Sequence, residues 1–159
     1  TVDEAWVREL LTHPYFELEP PKTTGRELFS PAMGRALLAR GRANGFYDAD
    51  VVATVTAFSA ESVADQYRRF LPVPPDEVIA AGGGTRNPVF MARLAASLPD
   101  TRVLTYEDLG FASHTKEAMA VAVLAYETWH GRPGTLPAFT GVNHPVLMGA
   151  INPGRRMPD

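Results

Sequence analysis

The chain has 159 residues, of which 45% are hydrophobic and 21% charged, the proportions of an ordinary globular protein. Its net charge of −3 and the lack of a basic run argue against nucleic acid as a partner, and no run approaches the roughly 20 apolar residues of a membrane helix. Without cysteine there is neither a disulfide nor a thiolate site, which favours a cytoplasmic protein. We expect a single domain over residues 1–159, with a mobile tail at 152–159.

The first half of the chain alternates predicted helices with proline-rich connections. Thr1 and Glu4 form a capping box that predicts a helix through residue 12, and the lack of an initiator methionine indicates a fragment or a processed chain. A proline-rich segment follows and ends in the polar cluster 22–27, to which the sequence assigns no role. Helices are also predicted over residues 30–40 and 48–71. The second of these has an apolar stripe that predicts its buried face: Val52, Val55, Val63, Tyr67 and Phe70, with Val51 and Phe58 widening it.

The stretch from residue 78 to residue 88 carries the strongest functional signal. Its first four residues are apolar without alternation, which is typical of a strand covered on both faces of a parallel sheet. Asn87 and Pro88 predict a helix start, with an N-cap acceptor followed by a residue that needs no N–H. Between strand and helix lies bare backbone that a planar ring or a phosphate could approach closely: Gly82, Gly83 and Gly84. A tight turn that happens to be rich in glycine explains the same residues, and both interpretations stay open.

The second half of the chain predicts one more strand and one more long helix. Residues 102–105 read as a short strand, and Ser113 is a plausible N-cap for a helix that is apolar without a break from 118 to 126. A helix that is apolar on all sides is predicted to be buried. Glu117 stands at the start of this helix. Either its carboxylate is stabilised by the positive end of the helix, at roughly 0.3–1 kcal/mol, or it points into a cleft and accepts hydrogen bonds from a polar ligand.

The order of the elements indicates an α/β fold that is helix-rich with a small, largely parallel sheet. Only two strands are convincing, and a two-stranded sheet is marginal and leaves its edges exposed. We therefore expect strands from outside this sequence to complete the sheet. Motifs for other chemistries are missing from the sequence: the four histidines lack metal-ligand spacing, and the glycines fit neither the dinucleotide fingerprint nor the Walker loop.

Several segments resemble the anhydro-N-acetylmuramic acid kinases, and together they cover nearly the whole chain. One resemblance, specific to that family, lies in His13-Pro14-Tyr15-Phe16 with Pro21-Lys22-Thr23-Thr24-Gly25-Arg26-Glu27-Leu28-Phe29. The others lie in Ala80-Ala81-Gly82-Gly83-Gly84-Thr85-Arg86-Asn87-Pro88, Asp108-Leu109-Gly110, Lys116-Glu117-Ala118-Met119-Ala120, Leu124-Ala125-Tyr126-Glu127-Thr128 and Gly131-Arg132-Pro133-Gly134.

The resemblance implies the C-terminal part of a sugar kinase that uses ATP and Mg²⁺. The family belongs to the actin-, hexokinase- and Hsp70-like ATPases, whose two ribonuclease H-like lobes close over ATP and sugar, and this chain would be part of the second lobe. These kinases open the 1,6-anhydro ring of anhydro-N-acetylmuramic acid and phosphorylate O6, which yields N-acetylmuramic acid 6-phosphate in peptidoglycan recycling. The resemblance further implies a homodimer, a sugar contact at Glu117, and nucleotide contacts at Gly82, Gly83, Gly84 and Asn87.

The phosphate-binding segments and the general-base aspartate of the family are missing from this sequence. Neither a Gly-Thr-Ser-x-Asp-Gly loop nor a Gly-Pro-Gly-Asn segment occurs, and the aspartate of full-length members lies before the part matched here. We therefore assign no catalytic residue and no metal ligand to this chain, and we expect the missing N-terminal half as its partner. Two hypotheses remain: part of a sugar kinase that is inactive alone, or a non-catalytic nucleotide-binding or interaction module built from the same lobe.

Overall fold

The computed structural model describes residues 1–152 and 154, so most of the tail that we expected to be mobile lies outside the described residues. The regular elements follow the predicted order of helices and strands. They are α1 (Glu4–Leu10), α2 (Pro31–Ala43), α3 (Asp48–Phe70), β1 (Glu77–Ala80), α4 (Pro88–Ser97), β2 (Arg102–Thr105), α5 (Lys116–Trp129) and α6 (Pro137–Thr140). Short 3₁₀ turns lie at Pro14–Glu17, Gly83–Arg86, Glu107–Leu109 and Ser113–Thr115.

The two strands form a small parallel sheet with one covered face. Val78 of β1 lies opposite Val103 of β2, and Ile79 lies opposite Leu104. Val78 is buried against α3 and α4, in a core completed by Ala60, Ala64, Leu94 and Leu98. A parallel pair needs a crossover connection, which α4 provides here. The chain is thus a helix-rich α/β structure, which confirms the predicted class.

Two expected burials are wrong for the described part of the chain. Ile79 is 45% exposed, so β1 is covered on one face only. Helix α5 has no buried residue, although it is apolar over most of its length, and Val121 and Val123 are 64% and 59% exposed. The reason is that α3 and α4 pack on a single face of the sheet, and little of the described chain packs against α5.

A second core joins the N-terminal segment to α3 through a cluster of aromatic rings: Tyr15, Phe16, Phe29 and Phe58. Lys22 Nζ donates hydrogen bonds to the carbonyl oxygens of Tyr15 at 3.1 Å and Phe16 at 3.3 Å. The same ammonium lies 4.7 Å from the centre of the Phe70 ring, and desolvation by these groups lowers the pKa of Lys22. The polar cluster 22–27 therefore begins with a lysine that holds the N-terminal segment around Tyr15 and Phe16 against α3.

Helix ends differ from the predicted ones where tertiary packing intervenes. Asp3, and not Thr1, caps α1, because its carboxylate accepts from the N–H groups of Ala5 and Trp6. Helix α2 continues through Gly41, where we expected it to end. A Cβ at Gly41 would overlap the Val51 side chain, so glycine at this position allows α2 and α3 to pack closely.

None of the helices in the described part of the chain combines the length and the apolarity needed to cross a bilayer.

Gly41→Ala should lower the free energy of unfolding by about 1–3 kcal/mol, because the added methyl overpacks the contact with Val51. Gly34→Ala is the matched control in the same helix, since a Cβ at Gly34 meets nothing within 4 Å. Alanine there should stabilise the helix by about 0.5–1 kcal/mol. Urea denaturation of both variants checks the pair, and equal effects at the two glycines would contradict the packing role of Gly41.

Candidate functional site

A polar cavity of about 230 Å³ brings together the two regions that the sequence singled out. Gly82, Gly83 and Arg86 line one side of it, from the turn between β1 and α4. Residues at the start of α5 and in the turn before it line the other side: Ser113, His114, Lys116 and Glu117. The predicted nucleotide turn and the predicted sugar-binding carboxylate therefore share one cavity, although they are far apart in the sequence.

The glycine turn is only partly explained by backbone geometry. Gly82 has φ of 101°, which L side chains rarely adopt, and its carbonyl oxygen accepts from the Thr85 hydroxyl at 2.8 Å. Gly83 and Gly84 have no such positive φ. A Cβ added at either would meet nothing within 4 Å. Neither strain nor packing in the described structure requires glycine at 83 and 84, so a tight turn accounts for Gly82 alone.

Asn87 has a defined local role. Its side-chain oxygen accepts hydrogen bonds from the backbone N–H groups of Val89 at 3.1 Å and Phe90 at 3.3 Å, so it caps α4 as predicted. Asn87 and Gly84 are not among the residues that line the polar cavity. The structure thus places two of the four predicted nucleotide contacts on the cavity wall and the other two beside it.

Glu117 is the second residue of α5 and is exposed on the cavity wall. Among residues 1–152 and 154, its carboxylate has neither an ion pair nor a side-chain hydrogen bond, although Arg86 and Lys116 line the same cavity. The position satisfies the helix-dipole interpretation, and the exposed carboxylate is also available to a polar ligand. The geometry is therefore compatible with both interpretations, and it shows the cavity that the ligand-binding interpretation requires.

Two carboxylates fix the connection from β2 to α5 that carries Glu117. Glu107 accepts hydrogen bonds from the Ser113 hydroxyl at 2.6 Å and the Ser113 N–H at 2.9 Å. These bonds lower the pKa of Glu107 from its ordinary 4.5 to about 2. Asp108 accepts from the N–H of Thr105 at 2.7 Å and from its hydroxyl at 2.8 Å, and both lower the pKa of Asp108. The start of α5 is thereby tied back to the end of β2.

Sequence reasoning missed four residues of the cavity wall: Arg86, Ser113, His114 and Lys116. Each stands within four residues of a predicted site residue, and Arg86 and Lys116 also lie in segments that carry the family resemblance. Their shared location arises from tertiary structure. The β1–α4 and β2–α5 connections follow the same ends of two parallel strands, so they meet at one edge of the sheet.

No group of three histidine, aspartate or glutamate side chains in the described part of the chain is arranged to hold a metal ion. Mg²⁺ in phosphate-transferring sites is bound largely by substrate phosphates, water and one or two carboxylates. The described residues therefore contain no set of side chains that would hold such an ion without a bound phosphate. The cavity is also smaller than the roughly 300–1,000 Å³ of typical ligand pockets.

A larger cavity of about 560 Å³ lies beside the aromatic core, between α2 and α3. Its wall is mostly apolar, shares no residue with the polar cavity, and includes Tyr15, Phe29, Met33, Phe58 and Tyr67. We assign the functional site to the smaller cavity. The reason is that it contains a carboxylate, two cations and open backbone, whereas the larger one offers no ionisable group suited to phosphate or sugar chemistry.

Comparison with known proteins decides the family. A family model described as anhydro-N-acetylmuramic acid kinase matches residues 1–154. The chain belongs to the anhydro-N-acetylmuramic acid kinase family. Curated relatives of that name include proteins of Acaryochloris marina, 43% identical over 92% of this chain, Microcystis aeruginosa, 46% over 91%, and Streptomyces avermitilis, 47% over 98%. The chain spans 38–39% of the length of these kinases.

Acid should weaken the tie between Glu107 and Ser113. The folded pKa of Glu107 lies below its ordinary value, so its contribution to stability is present above pH 4.5 and is lost as the pH falls towards 2. In Glu107→Gln the free energy of unfolding should depend less on pH over that window than in the wild type. Ser113→Ala, which keeps the carboxylate and removes the hydroxyl donor, should change the slope in the same direction. Urea titrations at several pH values measure this pH dependence of the free energy of unfolding. An unchanged slope in both variants would contradict the stabilising role of the hydrogen bonds between Glu107 and Ser113.

Proposed function

We propose that these residues form the C-terminal part of an ATP-dependent kinase that opens the 1,6-anhydro ring of anhydro-N-acetylmuramic acid and phosphorylates O6. The product would be N-acetylmuramic acid 6-phosphate, made in the cytoplasm during peptidoglycan recycling. One observation carries the proposal beyond family membership: the glycine turn and Glu117 line the same polar cavity. The fold would be part of the second lobe of an actin-like ATPase, for which the parallel β1–α4–β2 unit and the glycine turn are the support.

The nucleotide would lie against the glycine turn. Bare backbone at Gly83 and Gly84 leaves room for a ring or phosphate within contact distance, since nothing in the described structure fills that space. Gly82 sets the direction of the turn through its positive φ. Asn87 would act by fixing the start of α4, because its side-chain oxygen is already used by two N–H groups of that helix. When Mg²⁺ is bound with ATP, it neutralises charge on the phosphates.

The sugar would be held by Glu117. An ionised carboxylate accepts hydrogen bonds from hydroxyl and amide N–H groups, and such charge-assisted bonds are stronger than neutral ones. Glu117 is suited to this role because it lines the cavity without a competing ion pair in the described part of the chain. The Glu107–Ser113 tie would keep the start of α5 in place while the carboxylate binds its ligand.

Phosphoryl transfer would need residues that this sequence does not contain. The sequence lacks the phosphate loops and base aspartate expected from the family resemblance, and it spans about two fifths of the related kinases. The open face of the sheet and the exposed apolar side of α5 would be covered by the remainder of the kinase or by a second copy in a homodimer. We propose that the 159 residues are inactive alone and complete their site with that remainder.

A non-catalytic interaction module is the second candidate. The observation that favours it is the exposed apolar surface of α5, which includes Val121, Val123 and Trp129. Such a surface suits association with a partner more directly than it suits chemistry. This candidate describes the 159 residues by themselves. The Gly83→Val and Glu117→Gln variants described below distinguish it from the kinase assignment. If these residues were a module without a catalytic role, neither variant would change the binding or turnover of sugar or ATP.

Gly83→Val in the complete kinase should raise the KM for ATP tenfold or more and leave the KM for sugar nearly unchanged. The branched side chain would occupy the space that the nucleotide requires, whereas an added Cβ at this position meets no atom of the described structure within 4 Å. A tenfold change corresponds to about 1.4 kcal/mol. Steady-state kinetics measures both constants, and an unchanged melting temperature controls for folding. Equal effects on ATP and sugar would refute the nucleotide assignment.

Glu117→Gln should weaken sugar binding by about 1.5–3 kcal/mol, the cost of losing a hydrogen bond to a charged group, and leave ATP binding nearly unchanged. Glu127→Gln is the matched control on the same helix, since Glu127 pairs with Arg132 and does not line the cavity. Calorimetric titration with sugar and with ATP separates the two ligands. If Glu117→Gln only lowered the melting temperature, the helix-dipole interpretation would be correct.

A further inference from the structure

The polar cavity contains more positive than negative charge, although the chain as a whole carries a net charge of −3. Arg86 and Lys116, which carry a guanidinium and an ammonium, line it together with one acidic residue, Glu117. Within residues 1–152 and 154, none of the three makes an ion pair, while Arg40, Arg42, Arg93 and Arg132 are all paired elsewhere. Two residues with cationic side chains that are unpaired in the described part of the chain therefore line a cavity that can accept an anionic group.

The carboxylate of the sugar is an anionic group that these cations could bind. The related kinases are named for an amino sugar acid, and such an acid carries a carboxylate at neutral pH. If Glu117 accepts hydrogen bonds from the sugar, the carboxylate of the sugar lies in the same small cavity as a like charge. Two carboxylates at close range repel each other, so a nearby cation is needed for binding.

The geometry points to Lys116 as the residue that binds the carboxylate of the sugar and makes the site selective for an acidic over a neutral amino sugar. This assignment rests on the proposed function of Glu117. Lys116 is the first residue of α5 and immediately precedes Glu117, so both residues belong to the first turn of that helix, and both line the cavity on the sugar side. Arg86 belongs to the 3₁₀ turn Gly83–Arg86 and lies on the nucleotide side.

A binding comparison between the acid and its uncharged methyl ester tests this assignment in the complete kinase. By calorimetry, Lys116→Gln should weaken binding of anhydro-N-acetylmuramic acid tenfold or more and leave binding of its methyl ester within about twofold. Lys116→Arg, which keeps the charge, should restore most of the preference for the acid. Arg35→Gln controls for net charge, because Arg35 is exposed on α2 and does not line the cavity. The KM for ATP should stay the same in all three variants.

Three results with the variants would overturn the assignment of Lys116. The first is an equal loss of affinity for acid and ester, which would indicate a general disturbance of the cavity. The second is a rise in the KM for ATP without a change in sugar binding, which would assign the ammonium to a nucleotide phosphate. The third is a loss of the preference in Arg86→Gln while Lys116→Gln retains it.

The same measurements keep this assignment separate from the proposed function. A wild-type kinase that binds acid and ester equally well would contradict the role of Lys116 and leave the sugar site at Glu117 in place. A wild-type kinase that binds neither compound would contradict the sugar site itself, and the role of Lys116 would fall with it.

Discussion

The close approach of α3 to α4 and β1 is the constraint on which the site depends. Ala60 and Ala64 of α3 have no exposed surface, and their small side chains let α3 lie tightly over Val78 and Leu94. Bulkier residues at these positions would push the helix away from the sheet. Because β1 and α4 are held in this way, the turn between them has fixed ends, and the glycine backbone is presented at a defined place beside the end of β2.

The parallel pairing of β1 and β2 places the glycine turn and the start of α5 around the same cavity. Both strands end at the same edge of the sheet, so the glycine turn after β1 meets the connection after β2. Hydrogen bonds from Ser113 to Glu107 then fix where α5 begins and where Glu117 stands. This places bare backbone opposite a carboxylate in one cavity, an arrangement that suits two ligands held side by side. The other face of the sheet is open in the described part of the chain, where Ile79 is 45% exposed.

Signals that act over a few residues predicted the fold well. The strand at residues 102–105 and the cap at Asn87 were correct because strand-forming residues and N-caps act locally. The buried face of α3 was predicted correctly in part, since Val51 and Phe58 are buried whereas Val52 is exposed. The alanines that form the closest contact were not predicted, because close packing favours small side chains that carry little apolar signal. Burial of α5 was wrong in the described chain because its apolar surface has little of that chain to cover it. Arg86 and Lys116 were missed because only tertiary structure brings them together.

We propose that these residues supply one wall of a sugar kinase site and depend on another part of the kinase for catalysis. The most direct test is a phosphorylation assay with anhydro-N-acetylmuramic acid, ATP and Mg²⁺, on the 159 residues alone and after co-expression with the region that precedes the matched part in the related kinases. General acid–base assistance is worth on the order of 10²–10⁴ in rate, and the base aspartate that the family resemblance implies would lie in that preceding region. The account predicts activity only when both parts are present. Robust turnover by the 159 residues alone would contradict it.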